Sequence, residues 1–360
     1  MLTMTADRKR DMNHPGRRQL LLGALALACS PAHARGPAVA HYAGRPDVQA
    51  FVTAVVSEHG IPRGWLEQVL ATGRRSAQAE RLMTPSLTPP PRDWTRYRAR
   101  ALDESRVREA TVFQKAHRRT LARAVDAFGV PAEIVVSIIG IETLFGRVMG
   151  TFRTLDVLMT LAFDYPRRAA FYRDELAHFL ALAHQGRIDA LKQTGSFAGA
   201  IGLPQFMPSS IRRYALDFDG DGHIDLARSA ADAIGSVASY LHRQGWQRDR
   251  PVMFEAIANE AIAEQLGRGI AAAHSWADVA DLGVRIDGYL PPGEQVVLID
   301  LPYVHEDGSA NVEYRIGTVN LATILHYNRS YFYGAAVAEL AATLSARSDR
   351  QQAPADTAEG

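Results

Sequence analysis

Residues 134–145 read Ile-Val-Val-Ser-Ile-Ile-Gly-Ile-Glu-Thr-Leu-Phe, an apolar run in which Glu142 is the only ionisable group. On a helical period its neighbours three and four positions earlier are Ile139 and Ile138, so the carboxyl is offered little water. Lost hydration disfavours the charged form and predicts a raised pKa. A carboxyl that keeps its proton near neutral pH suits a general acid. The same pattern also suits a buried structural glutamate tied to an arginine or to backbone amides, and the run alone leaves both readings open.

A chain of 360 residues can bury a large core, in one domain or in two to three subdomains. Near-balanced charge, formally +1 at pH 7, argues against a dedicated nucleic-acid binder. Residues 1–34 read as an export signal: Arg17-Arg18 precede the apolar Leu20–Ala28, too short to span a bilayer, and Ala32-His33-Ala34 marks cleavage after Ala34. The only cysteine, Cys29, follows Ala26-Leu27-Ala28, a poor acylation box, so a lipid-anchored form is the secondary expectation. Cleavage after Ala34 leaves a mature chain without cysteine and therefore without disulfides.

Periodicity predicts a mainly α chain with a small sheet. Residues 47–78 read as helical with a break at Gly60-Ile61-Pro62, and 84–91, with four prolines, as an extended linker. One charged amphipathic helix is expected over 104–128, then helices over 131–145 and 166–184, the latter with Pro166 in its first turn. Residues 195–208 read as a structured loop with a short helix, 217–228 as an acidic loop, and 230–242 as a helix. Past Pro251 the texture changes: Val296–Leu301 and Asn311–Ile316 alternate as strands about a turn at Glu306–Ser309. The expected organisation is an N-terminal helical subdomain with linker (35–130), a catalytic core (131–250) and a β-containing module (251–317). A C-terminal helix (318–345) completes the core, before a disordered tail (346–360).

Four segments carry the chemistry. Ile141-Glu-Thr-Leu-Phe-Gly146 precedes Phe163-Asp-Tyr-Pro-Arg-Arg168, then Gly195-Ser-Phe-Ala-Gly-Ala-Ile-Gly-Leu-Pro-Gln-Phe-Met-Pro-Ser-Ser210, and finally Tyr327-Asn-Arg-Ser-Tyr-Phe-Tyr333. Together, in that order, they resemble the B-type lytic murein transglycosylases over about residues 47–345. The resemblance implies a goose-type lysozyme-like helical core, a helical N-terminal subdomain and a small β insertion. It also implies cleavage of the β-1,4 bond between N-acetylmuramic acid and N-acetylglucosamine without added water, giving a 1,6-anhydro end. One carboxyl would act as acid and then as base, and Glu142 matches that residue. The held 6-hydroxyl supplies by proximity what a second carboxylate supplies in a hydrolase. A hydrolytic muramidase on the same scaffold and a non-catalytic glycan binder are the alternatives.

Gln205 matches the family glutamine beside the acid, and Ser196 lies on the same Gly-rich loop as a contact or a loop cap. Tyr165, Tyr240, Tyr327 and Tyr333 are candidate sugar platforms or hydroxyl donors, Asn328 matches a groove residue, and Tyr97 occupies a looser family position. Arg167 and Arg168 are candidates for the lactyl group or peptide carboxylates, or else solvated helix-start residues. The expected partners are peptidoglycan glycan strands, not nucleic acid, for a monomer in the periplasm. Outer-membrane association is expected only if Cys29 is lipidated.

Asp217-Phe-Asp-Gly-Asp-Gly-His-Ile-Asp225 places carboxylates at EF-hand positions 1, 3, 5 and 9 with glycine at 6, a pattern of hard oxygens suited to Ca²⁺. It departs at position 12, where Arg228 stands. The resemblance supplies Asp232 as the closing carboxylate and the His223 carbonyl as a further ligand. A solvated Asp/Gly turn is the other reading. No cofactor is expected for catalysis, only a structural Ca²⁺.

Overall fold

The computed structural model describes Tyr42, residues 44–267 and residues 273–352. The expected export signal, Cys29 and the last eight positions, 353–360, lie outside the described residues. The N-terminal part holds α1 (Pro46–His59), α2 (Arg63–Leu70), α3 (Ala77–Met83), α4 (Trp94–Ala101), α5 (Glu104–Ala116) and α6 (Arg118–Phe128). Their starts are legible: Pro46 opens α1, and the side chains of Ser76, Asp93 and Asp103 accept from backbone amides at the N-termini of α3, α4 and α5. The single helix expected over 104–128 is two, broken at His117 (φ −108°, ψ 20°). Their apolar stripes address different partners: α5 packs against the next helix in the chain, and α6 mainly against a later one.

That next helix is α7 (Ala132–Thr143), whose residues from Ile134 to Ile141 are all buried. A helix apolar on every side has to be surrounded. Those surrounding it include α5, α6, α11 (Ala230–Arg243) and α15 (Tyr331–Gln352). Between α7 and α11 run β1 (Phe152–Arg153), α8 (Thr154–Phe163), α9 (Ala169–His184), β2 (Thr194–Gly195) and α10 (Pro208–Tyr214), with a 3₁₀ turn at Pro166–Arg168. Helix α8 was not expected from the sequence. Eight of its ten residues are buried, so it shows no polar face for periodicity to detect.

Past Pro251 the expected hairpin is β6 (Gln295–Val304) and β7 (Ala310–Gly317), the centre of a five-stranded antiparallel sheet. Short strands β3 (Met253–Ile257), β4 (His274–Ser275) and β5 (Arg285–Ile286) complete it in the order β4-β6-β7-β3-β5, with α12 (Glu260–Leu266) and α13 (Trp276–Asp281) alongside. Strand β6 is buried on both faces. Val297, Ile299 and Leu301 join the main core, whereas Val296 and Leu298 join a second core with Val279 and Ile316. Arg315, 8% exposed, reaches from β7 to Glu339 of α15 (3.8 Å) and to Glu313 (2.7 Å), fastening the sheet to the helical body.

The C-terminal helix expected over 318–345 is also two, α14 (Val319–Tyr327) and α15, separated by Asn328-Arg329-Ser330. Helix α15 continues to Gln352, so the polar tail expected from residue 346 is helical over its first seven positions. Among the described residues no single helix is long and apolar enough to cross a membrane.

Candidate active site

Glu142 is the penultimate residue of α7 and only partly buried, on a helix whose other faces are sealed. The residues after it explain the local motif. Leu144 (φ 51°) and Phe145 (φ 56°) take left-handed conformations that cost non-glycine residues energy, and Gly146 (φ 92°) follows. This tight reversal folds Phe145 back onto α7, where Gly140 makes room: a Cβ there would stand 2.6 Å from the Phe145 ring. Thr143, buried, donates to the Leu203 carbonyl (3.0 Å) and accepts from Gly146 N–H (3.1 Å). The helix end that presents Glu142 is thereby tied to the loop that carries Gln205.

Two tyrosines face the carboxyl. Tyr333, near the start of α15 and 2% exposed, has its hydroxyl pKa pushed well up, first by burial and then by the nearby Glu142 charge. Tyr97 on α4 is shifted in the same direction by burial and then by Glu142. Both phenols therefore stay protonated at any working pH. Trp94 and Phe332 pack against the Tyr97 ring, at 6.1 and 5.5 Å between centroids.

Behind Tyr333 the aromatic wall continues. Tyr327 stacks on it at 6.4 Å and meets Tyr240 at 4.9 Å and Phe206 at 5.8 Å. The Tyr327 hydroxyl donates to the Pro204 carbonyl, and that of Tyr240 to the His326 carbonyl (2.8 Å). Tyr240, Tyr327, Phe206 and Met207 line an open cleft of about 400 Å³, counting its mouth, together with Phe171, Glu175, Ser209 and His326.

The loop from Gly195 to Met207 closes on itself through paired backbone bonds between Ile201 and Phe206. Gln205 takes a left-handed φ of 48° and donates to the carbonyls of Gly202 (2.9 Å) and Met149 (3.2 Å), so its amide is held in place. Gly202 (φ 75°) lies where a Cβ would stand 2.5 Å from the Leu226 carbonyl, and this close approach joins the loop to the acidic segment. The Ser196 hydroxyl accepts from Ala200 N–H (3.0 Å), the loop-cap geometry. Asn328 is 4% exposed, and its Oδ1 is buried without a hydrogen-bond partner among the described residues.

The remaining candidates are placed differently. The Tyr165 hydroxyl donates to the Met83 carbonyl (2.8 Å), linking the N-terminal helices to the core. Arg168 lies 4.3 Å over the Phe171 ring at the rim of the cleft, whereas Arg167 is exposed. Two polar groups escape the sequence reading. Thr143 is one. The other is Glu175, 1% exposed, which accepts from Ser209 N–H (2.9 Å) and Ser209 Oγ (2.7 Å) and so anchors the start of α10. A charged residue among Tyr172, Leu176 and Phe179 on one helix was the available signal.

In the acidic loop, Asp217, Asp219 and Asp221 bring carboxylate oxygens within 4.8 Å of one another. Amides of Gly222, Gly220 and Asp221 hold the Asp217 carboxyl below its ordinary range. Asp232 is not in that trio: its oxygens accept from Phe218 N–H (2.7 Å) and Asp225 N–H (2.8 Å), closing the loop from inside. Burial pushes its pKa up. His223 is exposed, and its amide donates to Asp221 (2.8 Å).

A helical body, a sheet wedged against it and one carboxyl at the end of a buried helix together define a lysozyme-like fold. The chain matches the family described as Transglycosylase SLT domain over residues 43–342, and it belongs to that family. It is 39% identical over 307 residues to membrane-bound lytic murein transglycosylase B of Escherichia coli (strain K12), covering 83% of this chain and 82% of that protein. Among solved structures it resembles the catenated lytic transglycosylase SltB1 from Pseudomonas aeruginosa (TM-score 0.78, 40% identity, 84% of this chain and 98% of that one). It also resembles E. coli Slt35 in complex with calcium (TM-score 0.76, 38% identity, 86% and 96%). The chain is thus an enzyme of the lytic transglycosylase family.

Proposed function

We propose that this enzyme cleaves the β-1,4 bond between N-acetylmuramic acid and N-acetylglucosamine in peptidoglycan and closes a 1,6-anhydro ring, with Glu142 as acid and then base. The observation that carries the reading is the environment of Glu142: an apolar helix end, two neutral phenols and a held glutamine-bearing loop. The protonated carboxyl gives its proton to the glycosidic oxygen as the bond to C1 breaks. The resulting carboxylate faces the cationic sugar and takes the proton of the muramyl 6-hydroxyl as O6 bonds to C1. Glu142 ends protonated, as it began, and no water is consumed. The internal hydroxyl needs no capture from solution, which is the proximity advantage of an intramolecular step.

Glu175 is the residue that a two-carboxylate hydrolase would call on, since it borders the cleft. Both of its oxygens accept from Ser209, which supports an anchoring role instead. Tyr327, Tyr240 and Tyr333 are nearly fully buried against one another and form the backing of the cleft rather than open platforms for sugar faces, whereas the buried Asn328 Oδ1 offers an acceptor for a sugar hydroxyl or amide. Arg168, fixed over Phe171, suits a lactyl or peptide carboxylate at the rim. A structural Ca²⁺ fits the carboxylates of Asp217, Asp219 and Asp221, because like charges that close call for a cation. Asp232 supports that site by shaping the loop. The working place is the cell envelope, in keeping with a membrane-bound relative. Glu142→Gln tests the catalytic assignment: cleavage of peptidoglycan is lost by several orders of magnitude while pull-down on insoluble peptidoglycan persists. Retained cleavage would reject Glu142 as the acid.

A further inference from the structure

Helix α4 is eight residues long and is entered from residues 84–92, which are exposed throughout. The chain before it therefore does little to fix where it lies, and side-chain contacts have to. Two are aromatic: Trp94 and Tyr97 pack on Phe332 of α15 at 5.4 and 5.5 Å between centroids. One is ionic: Arg98 pairs with Glu339, seven residues beyond Phe332 and so about two turns along the same face of α15. Buried Arg106 of α5 holds the far end of α4, donating to the Ala101 carbonyl (3.3 Å).

Glu339 is more than one half of a surface ion pair. Its Oε2 takes Arg98, and its Oε1 faces Arg315 of β7 at 3.8 Å. Arg315 is buried and is itself held by Glu313, so the carboxylate stands on a fixed support. Helix α4 also packs on β6, so the sheet and α15 seat it together. Ion pairs in water stabilise a fold little, and Arg98 is exposed. What this pair can supply is register: it sets where along α15 the short helix, and Tyr97 with it, comes to rest. Phe332, in contact with the Tyr97 ring, is followed by Tyr333, which stacks on Tyr327 at the cleft. Helix α15 in turn packs along α7, which presents Glu142.

We propose that Glu339 is a positioning residue for the reaction: through Arg98 it seats α4 so that Tyr97 stands at the catalytic end of α7, and through Arg315 it makes the β module part of that seat. The inference rests on the reading of Glu142 as the acid. It gives the small sheet a task in catalysis, although none of the residues lining the cleft belongs to the sheet. A misplacement of about 1 Å can cost about a hundredfold in rate, so a modest slip of α4 is enough to matter.

The test measures peptidoglycan cleavage by Glu339→Gln and Arg98→Ala, each with and without Tyr97→Phe, beside hydrogen exchange of the α4 amides. Each single variant is expected to lower kcat about tenfold with KM nearly unchanged, within the range that misplacement produces. Adding Tyr97→Phe should then change kcat little, because the hydroxyl has already lost its place, whereas adding Tyr333→Phe should still exert its full effect. Exchange over residues 94–101 should quicken in both variants and stay as it was in α7. Arg98 is exposed, so Arg98→Ala decides the matter if Glu339→Gln fails to fold. Unchanged kcat, or a Tyr97→Phe effect that simply multiplies with the others, overturns the proposal. If the wild type leaves peptidoglycan intact, the Glu142 reading fails on its own, and exchange alone judges the seat: rates over 94–101 equal to wild type in both variants overturn it.

Discussion

Replacing Tyr333 by Phe removes one hydroxyl and keeps the ring that stacks on Tyr327. The hydroxyl has its pKa raised by burial and then by Glu142, so it remains a neutral donor facing the carboxyl. A donor favours the ionised carboxylate, and its loss therefore raises the pKa of Glu142. A typical hydrogen-bonding group contributes about 0.5–1.5 kcal/mol, and about 1.36 kcal/mol corresponds to one pH unit, so the upward move is expected to be about one pH unit or less. Solvent screening takes little from this figure, because Tyr333 is 2% exposed. The proposed first step needs the acid form, so activity falls as pH rises through the Glu142 pKa. In Tyr333→Phe the alkaline limb of the kcat/KM profile should therefore move to higher pH by about that amount. Tyr97→Phe is the comparison: the Glu142 charge ranks behind burial in raising the Tyr97 pKa, and removing this neutral hydroxyl should move the limb less. A limb that stays in place, or moves down, in a folded Tyr333→Phe enzyme would refute the coupling of these two groups.

Thr143→Val keeps the shape of the α7 terminus but leaves the Leu203 carbonyl and the Gly146 amide without their partner. It should cost about 1–3 kcal/mol in chemical denaturation and lower kcat, and an unchanged midpoint would remove the tie between helix end and loop. Titration calorimetry with Ca²⁺ should give heat with the wild type and none with Asp217→Ala. With Ca²⁺ at about a hundred times Kd the folded state gains about 2.7 kcal/mol, read as a higher Tm that chelator reverses. Absence of heat in the wild type rejects the metal.

Much of this architecture is written locally. The cap residues Ser76, Asp93 and Asp103, the αL glycines Gly60 and Gly129, and the β6–β7 alternation mark their own elements. The misses have physical causes. Helix α8 is buried nearly all round, and the two split helices bend where tertiary partners change rather than where a proline stands. The short strands β3, β4 and β5 are edge additions made by pairing with the β6–β7 hairpin or with one another. At the site, Glu142 stood out because it is the one charge in an apolar run, and the aromatic wall followed from family resemblance rather than from spacing. Glu175 and Thr143 were overlooked because each satisfies its polar atoms with groups distant in sequence.

In the proposed reaction one carboxyl performs both proton transfers and the sugar's own hydroxyl ends it. Mass spectrometry of soluble products from purified peptidoglycan tests it directly, with Glu175→Gln digested in parallel. Both proteins are expected to give 1,6-anhydromuramyl ends, lighter by one water than reducing ends, with Glu175→Gln altered in stability rather than in product. Reducing ends from the wild type, or anhydro ends that vanish when Glu175 alone is changed in a folded protein, would contradict it.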